Sequence, residues 1–199
     1  MIDSPTMGYS ATQPVGNYAT LNPIGAIGTS GTLKNGSLTL NGSDAFFLST
    51  ISPTGKSYWE YKVGSSGGGG NGPFIGVSTR DDNYHVRYAR IGYKTVNGSV
   101  SSYGGSWSVG DIIGVAFDPV NNTIEFYKNN VSQGQITGLA SPYEYFASGF
   151  DNASTDAHFN FGQRPFSYTP PSGYKSLCTS NLSNSTIRSE EHTSELQSH

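Results

Sequence analysis

Cysteine is nearly missing from this 199-residue chain, and the single thiol, Cys178, excludes an internal disulfide framework. It follows the last strand-like run and reads as a lone thiol in a tail. Charge is scarce too: charged residues make up 13% of the chain, the formal net charge is −3, and the basic side chains do not cluster. No electrostatic grip on nucleic acid or on an anionic membrane is therefore expected. No apolar run approaches the roughly 20 residues that a bilayer-crossing helix needs. The opening Met1-Ile2-Asp3-Ser4-Pro5 has neither the basic start nor the apolar stretch of a secretory leader. Helical periodicity is also missing, since no segment keeps it over about three turns.

Glycine is plentiful at 26 residues, and aromatic side chains reach 13%. Many turn formers and aromatics with few helix-favouring charges point to an all-β protein. The glycines follow no period, which excludes collagen, and the aromatic content is too high for a disordered chain. The length suits one domain with a real core and loose ends.

Residues 1–16 are rich in Ser, Thr, Pro and Gly and read as a disordered linker. From Asn17 onward, short strand-like runs separated by turn signals have the spacing of a sandwich. Ser37-Leu38-Thr39-Leu40 and Ala45-Phe46-Phe47-Leu48 flank Asn41-Gly42, which predicts a hairpin there. Residues 57–63 alternate, with Trp59, Tyr61 and Val63 on one face and Glu60 and Lys62 on the other. A glycine-rich loop, residues 65–72, leads to a buried-looking strand at 74–78. Residues 111–118, 123–128 and 131–136 are joined by turns at Pro119-Val120-Asn121-Asn122 and Asn129-Asn130, which predicts an antiparallel meander. Runs at 145–150 and 157–161 complete the set.

Residues 188–199 hold three of the fourteen acids and two of the four histidines, but no aromatic residue or glycine. The segment resembles the translation, in one frame, of a common short-read sequencing adapter. It reads as an adapter-derived tail, with residues 183–187 as the end of a truncated continuation. Without it the net charge is −1, because one arginine leaves with three glutamates. His192 and His199 are not expected to hold a metal.

Four elements occur in order. They are Ser57-Tyr58-Trp59-Glu60-Tyr61, Phe74-Ile75-Gly76-Val77-Ser78, the run from Trp107 through Gly110-Asp111 and Gly114 to Asp118, and Ile124-Glu125-Phe126-Tyr127-Lys128-Asn129-Asn130. Together they resemble the SPRY (B30.2/SPRY-like) domain. Asn17-Tyr18-Ala19-Thr20-Leu21-Asn22-Pro23 and residues 160–178 are similar to a subgroup found in tailed-phage and metagenomic structural proteins. The resemblance covers residues 17–182 and implies a bent, concanavalin-like sandwich of two antiparallel sheets. It also implies a module that recognises a protein or peptide, placed on a virion or another extracellular surface. Trp59 and Trp107 read as core, and Asp111 and Asp118 as acceptors of turn amides.

No catalytic constellation stands out. Glu60 and Glu125 lack an acidic partner two or four residues away, and Asp81-Asp82 reads as a turn-bonding loop pair. His85 and His158 are the only histidines outside the tail, and Cys178 has no evident base. The glycine run at 67–70 lacks a following Lys-Ser/Thr, so it is no phosphate cradle. Asp151-Asn152 with Asp156 reads as a turn rather than a calcium loop. No catalytic residue, metal or cofactor is expected.

A recognition face remains, with a glycan as the alternative ligand. Peptide-binding members of the family hold ligands on loops at one end of the sandwich. The resemblance thus implies that Tyr84, Tyr93 and Phe150 converge there, with Arg80 and Asp82 at the rim.

Overall fold

The computed structural model describes residues 16–24, 27–28, 31–42, 45–65, 72–151 and 155–182. The expectations for residues 1–15, the glycine run, Asn152 and residues 183–199 lie outside it. In chain order the strands are β1 (Ile27–Gly28), β2 (Gly31–Lys34), β3 (Thr39–Gly42), β4 (Ala45–Leu48) and β5 (Ser57–Val63). Then come β6 (Phe74–Ser78), β7 (His85–Ala89), β8 (Tyr93–Val96), β9 (Ser99–Ser102) and β10 (Ile112–Asp118). The rest are β11 (Thr123–Lys128), β12 (Val131–Thr137), β13 (Phe146–Asp151), β14 (Thr155–Asn160) and β15 (Lys175–Ser176), followed by a 3-10 turn at Thr179–Asn181.

Two sheets result. One runs β1-β4-β13-β6-β7-β8-β9 and the other β12-β11-β10-β5-β14-β3-β2. All pairings are antiparallel except that of β15, which lies parallel to the start of β5. The meander is present as β10-β11-β12, and Asn129 and Asn130 turn with φ of 48° and 68°. Asn tolerates this left-handed region, and such turns match the strand twist.

The hairpin expected at Asn41-Gly42 does not form. Both residues lie inside β3, and β4 belongs to the opposite sheet, paired with β13. The turn falls instead at the earlier pair, Asn35 and Gly36, with φ of 54° and 65°, which joins β2 to β3. An Asn-Gly pair permits a turn, but the partner strand decides whether one is made.

Between the sheets the inward residues of both meet. Trp59, Tyr61, Val115, Phe117, Phe126 and Phe159 come from one, and Phe47, Ile75, Val77, Val86, Tyr88 and Ala147 from the other. Aromatic edges interlock there: Tyr61 meets Trp107 at 5.5 Å and Phe159 at 5.3 Å between ring centroids. Glu60 points outward from β5 yet is buried, because the 166–168 segment folds over it. The Ser167 and Tyr168 amides donate to its carboxylate at 2.8 and 2.9 Å. Asp118 accepts from the Val120 and Asn121 amides at 3.1 Å, and Asp111 from Ser108 at 2.8 Å.

Cys178 does not hang in a tail. It is fully buried and bridges to Tyr18, within a closing segment where Ala19 donates to Leu177 O at 2.9 Å. The periodicity cue stops at Phe161, and residues 177–179 are held by pairing to residues 17–19.

Candidate binding site

The seven-stranded sheet is unusual in having two apolar faces. Alternation sends Ile75, Val77, Val86 and Tyr88 inward, so Phe74, Arg87 and Ala89 must project outward. The register brings Phe46 and Phe150 opposite each other on that outer face. There Phe46, Leu48 and Phe146 form a second buried cluster with Phe150 against it. Phe74 and Phe150 lie 5.7 Å apart between ring centroids.

Beside this cluster is a recess of about 220 Å³. Phe74, Ala89, Ile91, Tyr93, Val100 and Phe150 supply its apolar wall, with Arg87 and Thr95 as its polar members. Tyr93 is 42% and Val100 66% exposed, so the recess opens to solvent.

Arg87 needs explanation, because a guanidinium on an apolar face is costly unless paired. The side chain lies over the Phe46 ring at 4.7 Å and ion-pairs with Asp82. Its Nε is buried and has no partner among the described residues. Burial pushes the Arg87 pKa down, and the neighbouring Asp82 charge opposes that. For Asp82, burial pushes upward but is outweighed by bonds from His85 and Ser78 and by the Arg87 charge. Its carboxyl is held below the usual range. His85 is fixed as well: Gly98 N–H donates to its Nε2 at 3.2 Å, which leaves Nδ1 to donate to Asp82 O at 3.2 Å.

The expected site residues divide into two groups. Tyr93 and Phe150 share the recess wall. Tyr84 does not join them: it stacks on Tyr143 at 4.0 Å and packs against the main core. It precedes β7, and five residues of extended chain, about 16 Å, separate it from Ala89. Arg80 is exposed and lies over the Phe146 ring of the outer-face cluster at 4.3 Å, 3.9 Å from Glu144. Asp82, expected as a rim charge, is instead the counter-ion of Arg87, only partly exposed. Tyr93 sits on β8 and not on a loop, because residues 85–96 form a hairpin of two short strands.

Phe74, Arg87 and Val100 escaped sequence reasoning. Alternation in β7 does place Arg87 opposite Val86 and Tyr88, but only the pairing of β13, β6 and β7 shows that its face is apolar. Elsewhere the acids serve turns. Asp81 accepts from Thr79 Oγ1 at 2.6 Å and from Asn83 Nδ2 at 2.6 Å. Among the described residues no three His, Cys, Asp or Glu side chains gather as a metal site.

The family model described as "SPRY domain" matches residues 56–164, more than half of the chain. This chain belongs to the SPRY family. The E3 ubiquitin-protein ligase RKP of Arabidopsis thaliana is 33% identical over 106 residues, covering 51% of this SPRY chain and 8% of the relative. The ATP-dependent RNA helicase Ddx1 of Drosophila melanogaster is 30% identical over 115 residues, covering 52% and 16%. The chain thus spans under a fifth of these curated relatives, whose names describe whole proteins. The SPRY domain of human HERC1 has a TM-score of 0.57 at 20% identity, over 73% of this chain and 99% of that one. The stonustoxin structure has a TM-score of 0.60 at 14% identity, over 80% and 30%. At these identities the structural likeness shows the two-sheet sandwich.

Proposed function

We propose that this SPRY chain is a non-catalytic module that recognises a protein or peptide segment through the recess beside Tyr93 and Phe150. The observation that carries the reading is an apolar hollow open to solvent on the outer face of the sheet, lined by exposed Tyr93 and Val100. Exposed aromatic area beside a fixed, desolvated arginine is the chemistry of a protein-binding hot spot. Tyr brings rigid contact area with little rotamer entropy to lose. A larger hollow of about 460 Å³ on the other sheet is lined by Asn35, Lys62, His158, Asn160 and Arg164 among others, with no Phe, Tyr or Trp. A sugar ring would find no Phe, Tyr or Trp to stack on there, which supports the protein ligand over a glycan held in that hollow.

The setting we propose is a phage virion or tail-associated protein, on the strength of the segments at 17–23 and 160–178. The genes beside its reading frame test it, and neighbours without virion genes would remove that setting. The ligand reading is tested by calorimetry with peptides selected from a random library and, in parallel, on a glycan array. Tyr93→Ala is expected to weaken peptide binding by about 2 kcal/mol while leaving the thermal midpoint in place. Binding of glycans with no peptide selected would overturn it.

A further inference from the structure

Among the described residues four strands lie at the sheet edges: β1 and β9 in one, β2 and β12 in the other. An edge presents free backbone N–H and C=O groups to any passing chain, and proteins ordinarily blunt it by shortness, charge, proline or a bulge. β1 has two residues, β2 ends on Lys34, and the β11–β12 ladder shifts register between Glu125 and Tyr127. β9, Ser99-Val100-Ser101-Ser102, has none of these charges or breaks, and all of its residues are exposed.

The register settles which groups are free. Val96 pairs with Ser99 across the turn made by Asn97 and Gly98, with φ of 48° and 84°. In such a hairpin the pair flanking the turn is hydrogen-bonded and the bonding alternates from there. Ser99 and Ser101 thus bond to β8, while Val100 and Ser102 turn their N–H and C=O groups to the open side. The Tyr103 N–H, which donates to Gly92 O at 3.0 Å, continues that alternation. The Val100 side chain is also part of the recess wall, with Tyr93 and Thr95.

We propose that β9 accepts an extended segment of a partner polypeptide as an added antiparallel strand, with a large apolar side chain opposite Val100. This rests on the recess reading above and adds backbone pairing to it. An added strand would lie about 4.8 Å from β9. The side chain opposite Val100 would fall on the recess face, and a long or aromatic one reaches diagonally toward Thr95 and Tyr93. A second copy of β9 is a poorer occupant. Paired about Ser101, it brings one valine among serines and leaves Phe74, Tyr93 and Phe150 uncovered.

The probe is a synthetic peptide selected against this chain from a random library. Ser102→Pro removes an outward N–H without touching a bond to β8, and a loss of affinity of roughly tenfold is expected. Should that variant fail to fold, single N-methylation along the peptide tests the same bond in the unchanged protein. Loss at every second peptide position supports strand addition. If Tyr93→Ala weakens binding but neither Ser102→Pro nor any N-methyl group does, the recess reading stands and strand addition is overturned. If Ser102→Pro and alternate methylation weaken binding while Tyr93→Ala does not, the edge is the site and the recess reading fails. A library that yields no binder overturns both.

Discussion

Trp107 closes the core where the loop after β9 crosses between the sheets. Its ring meets Tyr61 edge-on, and its indole N–H donates to Ala89 O at 3.0 Å. Trp107→Ala removes a fully buried ring and one of the two hydrogen bonds that Ala89 O accepts, the other coming from Gly92 N–H at 3.0 Å, so a loss of about 3–5 kcal/mol is expected in denaturant unfolding. A loss below about 1 kcal/mol would show that the ring is not part of the core. Asp82 matters for a different reason, because removing it leaves the Arg87 charge buried without its partner. After discounting for its partial exposure, Asp82→Ala should cost about 1–3 kcal/mol. The sign of its pH dependence follows from the direction of the shift. The folded carboxyl binds its proton less readily than a free aspartate, whose pKa is about 3.9, so its contribution is present above that pH. It is lost as the pH falls through the lower folded value. The thermal midpoint should therefore drop below about pH 4, and Asp82→Asn should flatten part of that limb. Asp81 and Asp111, also shifted down, account for more of it.

At the scale of the strand, Gly76 and Gly36 separate two uses of glycine. A Cβ on Gly76 would stand 1.9 Å from Val86 O, backbone against backbone, so β6 and β7 pair as they do only with glycine there. Gly76→Ala should cost about 3 kcal/mol or more and show as lost soluble yield and an unfolded circular-dichroism spectrum. Gly36 has nothing within 4 Å of such a Cβ, but its φ of +65° penalises one. Gly36→Ala should cost about 1 kcal/mol, visible as a small shift in the denaturation midpoint. β6 was legible from its residues, and so was the β10-β11-β12 meander, whose turns carry their own signals. The β2–β3 hairpin was not, because two Asn-Gly pairs compete within eight residues and only long-range pairing chooses between them.

For the whole molecule, the two ends of the described domain hold each other. Asn17 N–H donates to Thr179 Oγ1 at 3.0 Å, Thr179 N–H to Asn17 O at 3.0 Å, and Leu21 and Leu177 are both buried. β15 meanwhile pairs with the start of β5. Truncation before Lys175 is expected to abolish the cooperative unfolding transition, because it uncovers Tyr18, Leu21 and the edge of β5 together. A shortened chain that melts with the full-length midpoint would contradict this.

What the sequence determined by itself is what local rules can encode. Alternation and turn chemistry were enough for an all-β sandwich and for Trp59, Tyr61 and Val63 sharing one face of β5. Phe150 and Tyr93 could be picked out as aromatic candidates, but not their joint place beside Phe74. That place depends on β13 lying between β4 and β6, and strand order is a property of the folded chain. The same holds for Tyr84, which separates from its neighbours in sequence because a strand carries them apart. Nothing in the sequence marks Arg87, and only pairing sets it over the Phe46 ring and gives it Asp82. Periodicity tells which way a side chain points, and only the tertiary structure decides what it meets there.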